Sequence, residues 1–343
     1  MKKFASVILS IVMVFCCVSI SSCNGQKTPT QDNYDNVNKP VIGIAWVQDR
    51  NEAFYQNWEY IIQKAGGIAV NLKQAKCYDI EYDVHDFVAN SELGEEGMLG
   101  PSAADRLKKC DKSHTNIEEV MRGIDGVFVP GGEDISPTLI KDFKVEENTC
   151  TGFSATRDVS DGILEQYCIE KDIPMFCVCR GMQMLSVVCG GRMIQDIPDY
   201  CAENSINFDG KHRDTNKDGP KEFVRHDVIV QDKDSTFYQQ IVKADVFKNI
   251  PSWHHQCVHD VEGTDLREVA IDSGGTFKVI EAVEMKNKSF ILGTQFHPEV
   301  VLNRVYKQGL EDTCDKDICL RFFTTLVNIA EQKSMTNPIN RSS

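Results

Sequence analysis

The sequence predicts an α/β protein: a mostly parallel sheet flanked by helices, with a strand-rich C-terminal part. Three observations lead there. Short apolar, β-branched runs recur without polar alternation, as strands buried on both faces require. Segments with apolar residues at helical spacing stand between them. Beyond about residue 225, strand-like runs follow one another without intervening helices, as antiparallel or mixed pairing would produce.

Taken in order, "PVIGIAW" (40–46) reads as the first buried strand. Phe54, Trp58, Ile61, Ile62 and Ala65 fall on one helical face, and Gly66 and Gly67 stop that helix. "IAVNL" (68–72) is a second strand, and "GVFVPGG" (126–132) a third that ends in a glycine turn. Residues 158–171 place Val159, Ile163, Leu164, Tyr167 and Cys168 on one helical face. "IPMFCVC" (173–179) is a strand running straight into the helix "GMQMLSVVCGG" (181–191). "RHDVIV", "DLREVAI", "FKVIEAVEM" and "SFILGTQF" supply the strand-rich part, and "DICLRFFTTLVNIAEQ" (317–332) is a closing amphipathic helix.

The ends carry their own signals. Lys2 and Lys3 precede an apolar run at 7–18 and then "SISSCNG", the pattern of a signal peptide over 1–22. The run is too short to span a bilayer, which takes roughly 20 residues. Ile20, Ser21 and Ser22 before Cys23 resemble the lipobox of bacterial lipoproteins, which implies a lipid anchor on Cys23 and a periplasmic or outer-membrane location. Residues 23–39 are polar and aperiodic and read as a tether; the domain proper is placed at 40–333, with a tail at 334–343.

Without Lys2 and Lys3 the chain has 35 basic against 51 acidic residues, about −16. That balance argues against nucleic acid or anionic lipid as partners, leaving the membrane to the anchor alone. Of the 14 cysteines, none forms a CxxC pair or a Cys/His group at zinc spacing, so neither metal nor cofactor is expected. An exported chain permits disulfides, with Cys77–Cys110 and Cys314–Cys319 as candidates; Cys168, Cys177 and Cys189, in apolar patterns, should be reduced.

The chemistry centres on Cys179. A strand entering it and a helix leaving it form the strand–turn–helix of a nucleophile elbow, with the positive helix end favouring a thiolate. Cys177, two residues back, reads as a small apolar filler. In "GTQFHPEV", His297 and Glu299 follow a strand and can act as base and orienter, while "PGGED" offers backbone N–H groups to an oxyanion.

These pieces, with "AGGIAVNL", "TRDVSD", "GGRMIQDI", "HDVIV" and "SWHHQ", in this order across most of 40–333, resemble the class I glutamine amidotransferase-like superfamily, particularly its γ-glutamyl-γ-aminobutyrate hydrolase branch. The resemblance implies a flavodoxin-like sheet, Cys179 as nucleophile, His297 as base and then acid, and Glu299 as orienter. It implies an oxyanion hole from the backbone N–H groups of Gly132 and Arg180, and a glutamyl pocket lined by Gln183, Ser252, Trp253 and His254. The expected partner is a small-molecule or peptide γ-glutamyl substrate, and a homodimer is left open. Residues 73–115 are an insertion relative to that family, expected to border the active site or to be decoration, and to be dispensable for the core. Asp158 in "TRDVSD" is expected to act only as a helix-capping charge. Besides the hydrolase, two functions stay open: a glutaminase passing ammonia to a partner, and a non-catalytic surface binding protein.

Overall fold

The computed structural model describes residues 39–48, 52–142, 152–208, 212–213, 222–274 and 277–336. The expected signal peptide, the Cys23 anchor, nearly all of the tether and Cys150 lie outside these residues.

One nine-stranded sheet organises the domain. It contains β1 (Val41–Ile44), β2 (Ile68–Asn71), β3 (Gly126–Val129), β4 (Met175–Val178), β6 (Val224–Val230), β7 (Val246–Ser252), β9 (Leu266–Asp272), β10 (Ile280–Met285) and β11 (Ile291–Thr294). The spatial order is β2-β1-β3-β4-β11-β10-β9-β6-β7. The first five strands in that order pair in parallel and the remainder antiparallel. The 2-1-3-4 start is the flavodoxin-like order, in which ligands sit beyond the carboxyl ends of the strands. β5 (Arg192–Ile194) and β8 (Cys257–Asp260) form a separate antiparallel pair.

Both faces of the parallel half are buried, as its unbroken apolar runs require. Val41, Val127, Val129, Met175 and Cys177 face one core with α4 (Ala155–Lys171) and α5 (Arg180–Val188). Ile42, Ile44, Phe128, Phe176 and Val178 face the other with α1 (Glu52–Lys64) and α8 (Lys316–Thr336). There the rings of Phe128, Phe176, Phe322 and Phe323 meet at centroid distances of 5.2–5.9 Å in tilted, edge and stacked contacts. α8 runs on to Thr336, past the expected domain end at 333.

Two expectations are corrected. The insertion is no appendage: Cys77, Ile80, Val88, Leu99 and Leu107 join the first core, and α2 (Pro101–Lys108) lies within it. Its backbone is pinned to the domain, Ala75 N–H donating to Ser160 Oγ (3.0 Å), Val88 N–H to Thr156 Oγ1 (2.9 Å) and Leu99 N–H to Ser136 Oγ (2.8 Å). Its apolar residues are spaced irregularly because they come from turns and isolated bridges, which give no period to read. The Cys77–Cys110 bond is present. Cys314 and Cys319 are not joined, their sulfurs standing 3.7 Å apart against about 2.05 Å for a bond. Cys168, Cys177 and Cys189 are free thiols.

Candidate active site

Cys179 stands between β4 and α5 with φ 52° and ψ −107°, a left-handed backbone that projects its side chain from the end of the strand. Its N–H donates to Thr294 O (2.6 Å), which carries the β4–β11 pairing up to the elbow. The turn needs Gly181: a Cβ there would lie 2.7 Å from Val129 O, inside contact distance. Cys177, by contrast, is fully buried, and burial together with the Glu165 carboxyl pushes its thiol well above the ordinary range.

His297 caps α7 (Pro298–Leu302), and its N–H donates to Pro251 O of β7 (2.9 Å). His297 Nδ1 lies 2.7 Å from Glu299 Oε1. Nε2 has no hydrogen bond of ordinary geometry. The ring and the cysteine meet over Gly131, where a Cβ would come within 3.0 Å of His297 Cε1 and 3.3 Å of Cys179 Cβ. Burial opposes charging of His297, but the Glu299 carboxylate and the Cys179 sulfur outweigh it and push its pKa up to about 10. The imidazolium is therefore the favoured form at neutral pH.

Gly132 lies in the loop after β3, where a Cβ would come within 1.8 Å of Arg157 Nη1. That contact exposes a role the sequence did not suggest. Arg157 Nη2 donates to Pro130 O (2.7 Å) and Gly131 O (3.0 Å), and Nη1 to Glu133 Oε2 (2.9 Å). Arg180, fully buried, turns its guanidinium to Asp158 Oδ1 (2.5 Å) and Asp161 Oδ2. Asp158 also accepts from Ser136 N–H (3.0 Å), and Ser154 is the residue whose side chain caps α4. Thus "TRDVSD" braces the glycine loop and the elbow from beneath, and Asp158 does more than complement a helix end. Four charged residues of this helix, Arg157, Asp158, Asp161 and Glu165, are buried. At the first turn of α5, Arg180 N–H has no intrahelical acceptor and is free to donate outward.

The remaining candidates divide. Trp253 comes to the thiol, its carbonyl oxygen 3.8 Å from Cys179 Sγ. Phe223 stacks edge-on to His297 (5.2 Å) and near Trp253 (6.0 Å), and the Arg213 guanidinium lies 5.7 Å from the Trp253 ring. Neither Phe223 nor Arg213 was singled out from sequence. Gln183 is buried deeper, with its amide donating to Gln256 O and Gln295 Oε1, both at 3.2 Å. Ser252 and His254 are buried, and His254 Nδ1 lies 2.8 Å from Gln256 O. Burial and the neighbouring His212 push the pKa of His254 down to about 4. His255 bridges Asp134 of the glycine loop (3.1 Å) and Asp196 (2.9 Å). Those carboxylates overcome burial and push the pKa of His255 up to about 9.

A thiol at an elbow, a buried His–Glu pair beside it and a braced loop of backbone donors form a group able to carry out acyl transfer. Residues 108–299 match the family described as Peptidase C26. The chain belongs to the Peptidase C26 family. That match covers the glycine loop, the elbow and the His–Glu pair of this C26 chain. The chain is 29% identical over 213 residues to a glutamine amidotransferase-like protein of Rickettsia prowazekii, covering 53% of this chain and 73% of that one. It is 23% identical over 297 residues to the γ-glutamyl-γ-aminobutyrate hydrolase PuuD of Escherichia coli, covering 82% and 96%. A glutamine amidotransferase structure from Thermotoga maritima aligns with a TM-score of 0.43 at 12% identity, over 87% of this chain and all of that one.

Proposed function

We propose that this C26 protein is a cysteine hydrolase that cleaves a γ-glutamyl amide through a thioester on Cys179. The observation that carries the reading is the placement of the Cys179 elbow beside the buried His297–Glu299 pair, over Gly131. The sulfur attacks the γ-carbonyl, and the oxygen takes the negative charge next to the N–H groups of Gly132 and Arg180. His297 gives its Nε2 proton to the departing amine as the C–N bond breaks. The thioester remains, and His297, now neutral, takes a proton from water as the water oxygen attacks. Collapse releases glutamate and returns sulfur and imidazolium to their starting forms. Glu299 keeps Nδ1 protonated and Nε2 turned to the sulfur. Arg213, a cation beside the Trp253 rim, suits the α-carboxylate of a glutamyl group.

The test is to incubate the soluble domain with a panel of γ-glutamyl amides, including γ-glutamyl peptides, and to measure released amine. Release from at least one amide, absent in Cys179→Ser, is expected; no release from any amide by correctly folded protein would sink the assignment. Relatives described as glutamine amidotransferase-like favour a second reading, a glutaminase that hands ammonia to a partner. Ammonia released from free glutamine, with γ-glutamyl amines left intact, would favour it.

The same proposal places the protein on a membrane through a lipid on Cys23. No helix among the described residues is long and apolar enough to cross a bilayer. Cys23→Ser is expected to move the protein from the membrane fraction to the soluble periplasmic one; equal partition of the two forms would count against the anchor.

A further inference from the structure

Behind Trp253 lies a second group of titratable side chains that the hydrolytic reading does not use. His212 precedes β6, His226 lies on β6, His254 follows β7 and Glu281 lies on β10. One ligand-type atom from each falls within 4.8 Å of all the others. Glu281 Oε1 stands 3.2 Å from His212 Nδ1, 3.6 Å from His226 Nε2 and 3.7 Å from His254 Nε2.

These contacts are poor hydrogen bonds. Two are too long, and the third is misaligned. All three nitrogens and both Glu281 oxygens are buried polar atoms without a partner of ordinary geometry. Five such atoms in one place are unfavourable if nothing occupies the point they surround. The spacings do suit another object. Bonds of about 2.0–2.1 Å at tetrahedral angles put ligand atoms about 3.4 Å apart.

We propose that His212 Nδ1, His226 Nε2, His254 Nε2 and a Glu281 carboxylate oxygen form a zinc site. The outward nitrogens of two of the histidines already meet an acceptor: His254 Nδ1 lies 2.8 Å from Gln256 O and His226 Nδ1 3.2 Å from Asp227 O, while His212 Nε2 stands 3.8 Å from Asp272 Oδ2, beyond hydrogen-bond distance. Such partners fix the tautomer and turn the other nitrogen inward as a neutral ligand. Three imidazoles and one carboxylate suit a borderline divalent ion better than calcium or magnesium, which prefer oxygen. With four protein ligands the site is closed, hence structural. It ties β6, β10 and the segment carrying Trp253 together, and so holds the wall facing Cys179 in place. No zinc spacing is visible in the sequence because the ligands sit on four separate segments, brought together by the antiparallel half of the sheet.

The experiment measures zinc in the full chain after gel filtration with a mild chelator. About one zinc per chain is expected in the wild type and in Cys179→Ala, with Glu281→Gln and His226→Ala each weakening the site more than the roughly 10–100-fold that loss of an orienting partner costs. Because either variant could fail to fold, zinc-edge absorption on the wild type is the independent arm. A first shell of nitrogen and oxygen with imidazole scattering is expected. Sulfur at about 2.3 Å, zinc that disappears with Cys179, or wild-type binding no tighter than that of Glu281→Gln would overturn the proposal.

Discussion

At Cys179 the left-handed backbone, φ 52° and ψ −107°, costs on the order of 1–3 kcal/mol for a residue with a Cβ, held in place by Gly181 packing on Val129 and by the Thr294 hydrogen bond. The surroundings of two neighbouring thiols differ: Cys179 faces His297, and Cys177 is sealed in the core. His297 owes its raised pKa first to Glu299. Glu299→Gln is therefore expected to lower turnover roughly 10²–10⁴-fold while leaving the nucleophile in place, and to move the His297 titration, followed by NMR, down from about 10. The sign for stability follows. A histidine raised on folding stabilises fully below its unfolded pKa of about 6.5, and the contribution is lost as pH rises through about 10. Glu165 runs the other way. Both its oxygens are buried without partners, and burial holds its pKa well above the usual carboxylate range, favouring the neutral acid. Stability then falls as pH rises from about 4.5 toward that raised value. Denaturant melts of Glu165→Gln across this range should show a shallower decline than wild type; parallel curves would mean that Glu165 is charged.

Among the elements, the insertion differs most from its sequence reading. It packs against α4, whose buried Arg157 holds the glycine loop by two carbonyls, so its stability reaches the site through that helix. The Cys77–Cys110 bond closes a loop spanning 33 positions. Loop-closure entropy for such a length puts its contribution at about 3–4 kcal/mol. Cys77→Ala with Cys110→Ala should lower stability by about that amount, read from the denaturation midpoint; an unchanged midpoint would show that packing alone holds the segment. Strand β7 was passed over in the sequence because Pro251 and the alternating polar residues disguise it. As the sheet's edge strand it has no outer ladder for proline to break, and Pro251 uses its carbonyl to seat His297. The parallel strands β1, β3 and β4 were legible because burial on both faces leaves an unbroken apolar run.

Across the whole molecule, what the sequence revealed follows distance along the chain. The elbow and the "HPE" run are local patterns, and the structure brings Cys179 and His297 together over Gly131. The Arg157–Asp161–Arg180 brace and the His212–His226–His254–Glu281 cluster are made by folding remote segments together, and no local spacing announces them. The two halves of the sheet divide the work: the parallel half carries the sulfur and the glycine loop, and the antiparallel half carries Trp253 and seats the histidine. Attack by Cys179 on a γ-glutamyl carbonyl is tested by peptide mapping with mass spectrometry after brief treatment with a γ-glutamyl chloromethyl ketone. Modification confined to Cys179, suppressed by a γ-glutamyl amide substrate and accompanied by loss of turnover, is the expected result; preferential labelling of Cys177, or full turnover in Cys179→Ser, would contradict it.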